Sequence, residues 1–291
     1  MAARTDRRAR QGPRLVSGPV LEFRDAGLQF GDRILWRGLD LDIEPGEFVA
    51  VLGPNGSGKT SLLRAILGQT ELSSGTITAH GDIGYVPQQH AADSDSMMLR
   101  GRDLVGFGVD GAQWGFGLRG IAKRREAVAA AIEQVGASAF AERPLGLLSG
   151  GEQQRLRIAQ ALTRDPSLLL CDEPLASLDL ASQQVVVDLL DTRRKRDDTA
   201  ILFVTHELNP VLPFVDRVLY LAGGSFRIGT VEEVMNSRTL TELYGSPVEV
   251  LRIGGRLVVI GGEDDHHCNA HTYPGDVLGT DVGFAVAGDD L

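Results

Sequence analysis

Leu39, Leu41 and Ile43 alternate with Asp40, Asp42 and Glu44 ahead of a Pro45-Gly46 turn. A period of two predicts a strand with one face buried and one in water. The next run, Phe48-Val49-Ala50-Val51-Leu52, does not alternate, which predicts a strand covered on both faces, as in a parallel sheet. It leads directly into Gly53-Pro54-Asn55-Gly56-Ser57-Gly58-Lys59-Thr60, then into a helical pattern over residues 61–67 that Gly68 is placed to stop. Between about residues 90 and 146 the character changes. Gly106, Gly108, Gly111, Gly115 and Gly117 form a Gly-rich stretch, and after it Val128, Ile132 and Val135 share one face of a helix. A small helical subdomain over about residues 90–163 is expected. From Ser167 onward, apolar strands at 168–171, 200–204 and 218–221 alternate with helical patterns, as parallel-sheet units require. Thr230 and Glu233 form a capping-box pattern for a later helix.

Composition fits an α/β protein. The 291 residues are 43% hydrophobic, enough for one large domain with appendages or two small ones. The 36 glycines and 5% aromatic content suit many tight turns better than an aromatic-rich sandwich. A formal charge of -10 argues against life on nucleic acid, which needs a basic face. The two cysteines, Cys171 and Cys268, make a disulfide framework an unattractive reading and fit a reducing compartment. No apolar run reaches the roughly 18–20 residues that span a bilayer.

The ends differ from the middle. Arg4, Arg7, Arg8, Arg10 and Arg14 precede any periodic pattern, so residues 1–18 read as a disordered basic arm. No Lys or Arg follows Arg256, and residues 263–291 read as an acidic, flexible tail. That tail holds His266, His267, Cys268 and His271 beside Glu263, Asp264 and Asp265. Imidazole and thiolate suit zinc, but the spacing fits no rigid structural site, and an acidic tail with incidental histidines is the simpler account.

Chemistry concentrates in three places. Gly53 to Thr60 match the pattern G-x-x-x-x-G-K-[ST] between a strand and a helix. Glycines let the N–H groups of Gly53, Asn55, Gly56, Ser57 and Gly58 turn toward phosphates, with Pro54 in the loop contributing no N–H and Ser61 following in the helix. Lys59 supplies a cation for the β and γ groups, and Thr60 a hydroxyl for Mg²⁺. Secondly, Leu168-Leu169-Leu170-Cys171 ends in Asp172-Glu173, and ligands bind beyond the carboxyl ends of parallel strands. Asp172 is placed to hold Mg²⁺ and Glu173 to polarise an attacking water. Thirdly, Ser149-Gly150-Gly151 open a helix and offer an anion site of their own. One chain with one bound nucleotide has no second triphosphate for it, so a partner's nucleotide is implied.

In this order, the motifs resemble the ABC ATPase family over Val20 to Gly229. The resemblance implies a P-loop NTPase cassette: a mixed core sheet, an antiparallel β subdomain and a small helical subdomain, together over residues 19–262. It implies ATP hydrolysis with Mg²⁺ in a head-to-tail homodimer, where Ser149, Gly150 and Gly151 close over the opposite cassette's γ-phosphate. By the same resemblance Gln88 senses Mg²⁺ and the attacking water, and Asp179 links the two sites. His206 contacts the γ-phosphate, and Phe30 stacks on adenine. Plainer alternatives stay open for each: a loop polar residue, a helix N-cap, a surface histidine and core filling.

Only ninety residues separate Lys59 from Ser149, too few for the long coiled coils of chromosome-maintenance relatives. A transporter cassette without fused membrane spans remains, at the cytoplasmic face of the membrane beside integral permease subunits and, indirectly, an extracytoplasmic metal-binding protein. Residues 242–250, 255–259 and 143–146 resemble zinc- and manganese-uptake importer cassettes; siderophore, haem and cobalamin importers share much of the pattern. A soluble ABC ATPase of nucleic acid or ribosomes is the rival from another class. Met97 and Met98 are candidates for the groove that receives a helix of the permease, or gap-fillers in a core.

Overall fold

The computed structural model describes residues 18–88, 96–110 and 118–261. The arginine-rich arm and the histidine-containing tail lie almost wholly outside the described residues, as do Gly111, Gly115 and Gly117. The strands are β1 (Leu21–Phe30), β2 (Arg33–Ile43), β3 (Phe48–Leu52), β4 (Ser74–Ala79), β5 (Ile83–Val86), β6 (Leu168–Asp172), β7 (Ala200–Val204), β8 (Arg217–Ala222), β9 (Ser225–Gly229), β10 (Val248–Ile253) and β11 (Arg256–Gly261). The helices are α1 (Lys59–Ile66), α2 (Gly101–Asp110), α3 (Leu118–Gln134), α4 (Gly150–Leu162), α5 (Leu180–Asp197), α6 (Val231–Val234) and α7 (Ser237–Tyr244).

Six strands form the central sheet in the order β5-β6-β7-β3-β8-β9, parallel throughout except for the antiparallel edge strand β9. Both of its faces are covered, which is why β3, β6 and β7 are apolar at nearly every position. Phe48, Ala50 and Leu52 face a core shared with α3, α4 and α5. Val49 and Val51 face a second core, formed with α1 and the antiparallel sheet β2-β1-β4. In that sheet the expected alternation holds: Leu39, Leu41 and Ile43 are buried. Arg217 of β8 ties the two sheets together by bonding Glu47 and the Asp42 carbonyl.

The three helices between the sheet strands pack on one another, α2 on α3 and α4 and α3 on α4. Val128, Ile132 and Val135 are buried together. Within the expected helical subdomain, Gly106 and Gly108 of the Gly-rich stretch are helical residues of α2. A Cβ on Gly108 would lie 2.2 Å from the Gln160 carbonyl, and one on Gly101 2.5 Å from a Leu156 methyl. These glycines therefore serve close helix approach, and the weak helix propensity of Gly is overridden by packing.

Helix α6 starts at its cap. Thr230 and Glu233 bond reciprocally across the first turn of α6, as the sequence pattern requires. Arg193 of α5 is almost fully buried and joins three elements by bonding Thr199, Gln134 at the end of α3, and Asp165 beyond α4.

Phe203 is fully buried and packs on Phe48, ring centroids 5.5 Å apart. Phe203→Ala leaves a cavity between adjacent parallel strands and is expected to cost about 3–5 kcal/mol, read from the urea midpoint at unchanged m-value.

Candidate functional site

Four neighbouring strands bring the candidate residues to one edge. In the order β5-β6-β7-β3 all run parallel, so their carboxyl ends share an edge. Gln88 follows β5, Asp172 ends β6 with Glu173 next, His206 follows β7, and Gly53 to Thr60 follow β3. Residues far apart in the chain meet through sheet order alone.

The loop after β3 is built on glycine. Gly53 has φ 142°, and a Cβ there would lie 2.0 Å from the Leu221 carbonyl oxygen; no other residue fits. Gly58, at φ 100°, precedes the first helical residue, Lys59. The Lys59 ammonium donates to the carbonyls of Gly53 at 2.6 Å and Pro54 at 2.9 Å. Its stem is buried. Arg33 of β2 donates to the Gly56 carbonyl at 2.8 Å, bracing the loop from outside. Asn55 and Gly56 are exposed and Ser61 is half-buried. Phe30, at the end of β1 beside the hairpin that carries Arg33, is 54% exposed. It fills no core, which removes the plainer alternative for it.

The carboxylates have opposite environments. Asp172 is 2% exposed. Burial and then the neighbouring Glu173 charge push its carboxyl up; hydrogen bonds from Thr60 and Tyr85 and the charge of Lys59 pull the other way. Its Oδ1 is buried without a hydrogen-bond partner among the described residues, and so is the Ser57 hydroxyl. Orphaned buried oxygens beside Thr60 fit a bound divalent cation, whose charge would offset the cost of ionising a desolvated carboxyl.

Glu173 sits in the left-handed region at φ 48°, which is strained for a residue with a side chain. Its N–H donates to the Val204 carbonyl at 3.0 Å. The Gln88 amide donates to Oε2 at 2.8 Å, and His206 Nδ1 lies 3.7 Å from that same oxygen. At that distance the histidine contact is an ion pair rather than a short hydrogen bond. The His206 contact holds the Glu173 carboxyl below its ordinary value, against partial burial and with help from Lys59 and Gln88. Reciprocally, Glu173 raises the His206 pKa. Stabilisation by the pair is therefore present between the two values, lost in acid as Glu173 protonates and lost as pH rises through the elevated His206 pKa.

The remaining candidates form a second cluster. Ser149 caps α4 and shares a capping box with Glu152, its hydroxyl accepting from Glu152 N at 3.2 Å. Asp179 caps α5, accepting from the N–H and hydroxyl of Ser182 at 2.9 and 2.8 Å. The helix-cap alternative for Asp179 is thus realised in the fold, and it leaves the side chain exposed. A Cβ on Gly151 would lie 2.5 Å from Ser182 Oγ, and one on Gly150 3.3 Å from Leu178. The two helix starts are consequently packed together. Each is tied back by a glutamine one turn in: Gln153 to the Leu145 and Leu148 carbonyls, Gln183 to those of Leu175 and Leu178. The close contacts of Gly150 and Gly151 go to Leu178 and Ser182 rather than to residues 53–60.

Two contributors were not singled out in the sequence. Tyr85, next to Val86 in β5, reaches Asp172 with its hydroxyl at 3.5 Å. Arg33 lies in an unremarkable polar hairpin. Met98 is 80% exposed, so it fills no gap in a core.

The ABC transporter family profile matches residues 36–176. The zinc import ATP-binding protein ZnuC of Pseudomonas entomophila is 31% identical over 267 residues, covering 90% of this chain and 95% of that protein. Among solved structures, a metal-chelate type ABC transporter in an inward-facing conformation superposes with a TM-score of 0.70 at 27% identity, covering 83% of this chain and 96% of that one. A dimeric ATP-binding cassette in a post-hydrolysis state with ADP and phosphate superposes with a TM-score of 0.60 at 25% identity, covering 72% and 98%.

His206→Ala removes the largest influence that lowers the Glu173 pKa and leaves its burial in place. The Glu173 carboxyl is expected to titrate at higher pH than in the unaltered protein, read by carbon NMR of the side-chain carboxyl; an unchanged midpoint would contradict the pairing.

Proposed function

The chain belongs to the ABC transporter family of ATP-binding proteins, and from that premise we propose that it is the ATP-hydrolysing subunit of a zinc importer, driving a separate membrane permease. The relative's role in zinc import, matched over 95% of its length, supports the cargo. Among the described residues no helix is long and apolar enough to cross a membrane, which suits a peripheral subunit at the cytoplasmic face. An extracytoplasmic metal-binding protein would deliver the ion to the permease. Import of a metal chelate is the second reading, favoured by the superposition on a metal-chelate type transporter.

The observation that carries the hydrolytic reading is the convergence of Gln88 and His206 on one oxygen of Glu173. Both contacts fall on Oε2, so Oε1 is the oxygen offered to a water molecule. Glu173 takes up the proton that this water loses as its oxygen bonds to the γ-phosphorus and the bond to the bridging oxygen of ADP breaks. A lowered carboxyl pKa keeps Glu173 ionised and ready for that proton at neutral pH. Lys59 exchanges its loop carbonyls for phosphate oxygens, backbone N–H groups of residues 53–60 cradle the same phosphates, and Phe30 stacks on adenine. Thr60, Asp172 and Gln88 would hold Mg²⁺, which supplies charge neutralisation on the phosphates when bound.

Ser149, Gly150 and Gly151 open α4 and serve the nucleotide of a second copy, with Asp179 beside them. A homodimer with two composite sites follows from this division of labour. The post-hydrolysis dimer among the structural relatives supports it.

Glu173→Gln is expected to keep ATP binding and lower kcat by about 10²- to 10⁴-fold, whereas Lys59→Ala should raise the ATP Kd itself. Steady-state kinetics with equilibrium nucleotide binding separates the two, and retained turnover in the Glu173 variant would sink the assignment. For the cargo, cells lacking the chain should lose uptake of radiolabelled zinc and regain it with the unaltered protein but not with Glu173→Gln. Loss of cobalamin or siderophore uptake with normal zinc uptake would select the chelate reading.

A further inference from the structure

Strand β2 runs along the phosphate loop, and its first residues meet the loop one after another. Leu35 and Trp36 lie against Gly58, where an added Cβ would stand 3.0 Å from Leu35 and 3.3 Å from the Trp36 indole nitrogen. Arg33, at the start of the strand, reaches Gly56. Its Nη2 donates to the Gly56 carbonyl at 2.8 Å, and a Cβ on Gly56 would lie 3.0 Å from that nitrogen. The register gives Arg33 a second neighbour, because it pairs across the hairpin with Phe30. Directly opposed residues of an antiparallel pair project from the same face. The exposed ring of Phe30 and the Arg33 guanidinium therefore share the face of the hairpin that looks onto the loop.

The charge of Arg33 is unspent. The bond to Gly56 is its whole pairing among the described residues, and the side chain is exposed. A guanidinium has further N–H donors in a planar fork that suits phosphate oxygens, yet in a chain of formal charge -10 this one takes no carboxylate among the described residues. Lys59 is in a comparable state, its ammonium resting on the carbonyls of Gly53 and Pro54. Both cations are thus held by loop carbonyls, the partners that a polyphosphate would replace. A nucleotide with its adenine on Phe30 and its β- and γ-phosphates in the loop crosses from hairpin to loop by its ribose and α-phosphate, which brings that stretch past Arg33. We propose that Arg33 is a nucleotide-binding residue whose guanidinium takes the α-phosphate. The inference rests on the reading of Phe30 and residues 53–60 as an ATP site. Hydrolysis leaves the α-phosphate untouched, so ATP, the transition state and ADP receive this contact alike. Such uniform binding tightens the nucleotide without altering the chemical step.

Equilibrium nucleotide binding and steady-state turnover of the full chain test this. Arg33→Ala is expected to raise the Kd of ATP and that of ADP by the same factor, about tenfold, the low end for a hydrogen bond to a charged group because the side chain is exposed. KM should rise in step while kcat at saturating ATP holds, the signature of lost uniform binding. The Kd of ADP should also depend less steeply on salt in the variant, since one cation has left the site. Arg33→Lys should recover part of the affinity and of the salt dependence, keeping the charge but losing the fork. Unchanged affinities would overturn the proposal. So would a kcat that falls together with affinity, which is what a slackened loop around Lys59 would give, or a weakened affinity whose salt dependence matches the unaltered protein. An unaltered chain that binds neither ATP nor ADP would bring down the reading of the site and this inference with it, whereas tight binding indifferent to Arg33 would bring down this inference alone.

Discussion

Strand β3 is held in parallel between β7 and β8, with Val51 level with Val204 on one side and with Leu219 on the other. Everything chemical in the molecule depends on that register. It sets the phosphate-loop sequence at the same edge as the ends of β6 and β7, and it brings the Leu221 carbonyl so close to Gly53 that only glycine is tolerated. A slip of one residue would exchange Phe48, Ala50 and Leu52 for Val49 and Val51 between two cores that differ in shape. Burial on both faces is therefore what makes the register unique and, through it, the site.

At the edge itself, two adjacent carboxylates are driven apart in character by their surroundings. Asp172 is desolvated, with one oxygen orphaned; Glu173 is half-buried and paired with His206. Neighbouring acids whose environments push them in opposite directions can divide labour, one holding a cation and the other handling a proton. The strained backbone of Glu173 belongs to the same arrangement, since φ 48° turns its side chain out of the strand direction that Asp172 continues.

The helical part is joined to the rest of the fold by few polar links. Arg193 connects α5 to the end of α3 and to the turn beyond α4, and the starts of α4 and α5 are packed through Gly151 and Ser182. A displacement of α4 is thereby felt at Asp179 and along α5. The glycines of α2 allow its backbone to lie directly on α4, which makes these helices one body rather than three.

Local pattern alone determined a good deal. The all-apolar runs of β3, β6 and β7 carry the signature of a doubly covered sheet because burial on both faces leaves no polar positions. The phosphate loop is legible because its demands are met by consecutive residues, and Thr230 with Glu233 announces its cap within one turn. What pattern could not give was anything set by sheet order. Gln88, Glu173 and His206 meet on one oxygen only because β5, β6 and β7 are neighbours, and in sequence their association rested on resemblance. The reason for Gly101 and Gly108 was not legible, because propensity is local, whereas the close approach of α2 to α4 that calls for them is not. The roles of Tyr85 and Arg33 were likewise decided by tertiary structure: each depends on what lies across a gap between chain segments, and a one-dimensional pattern holds no record of that distance.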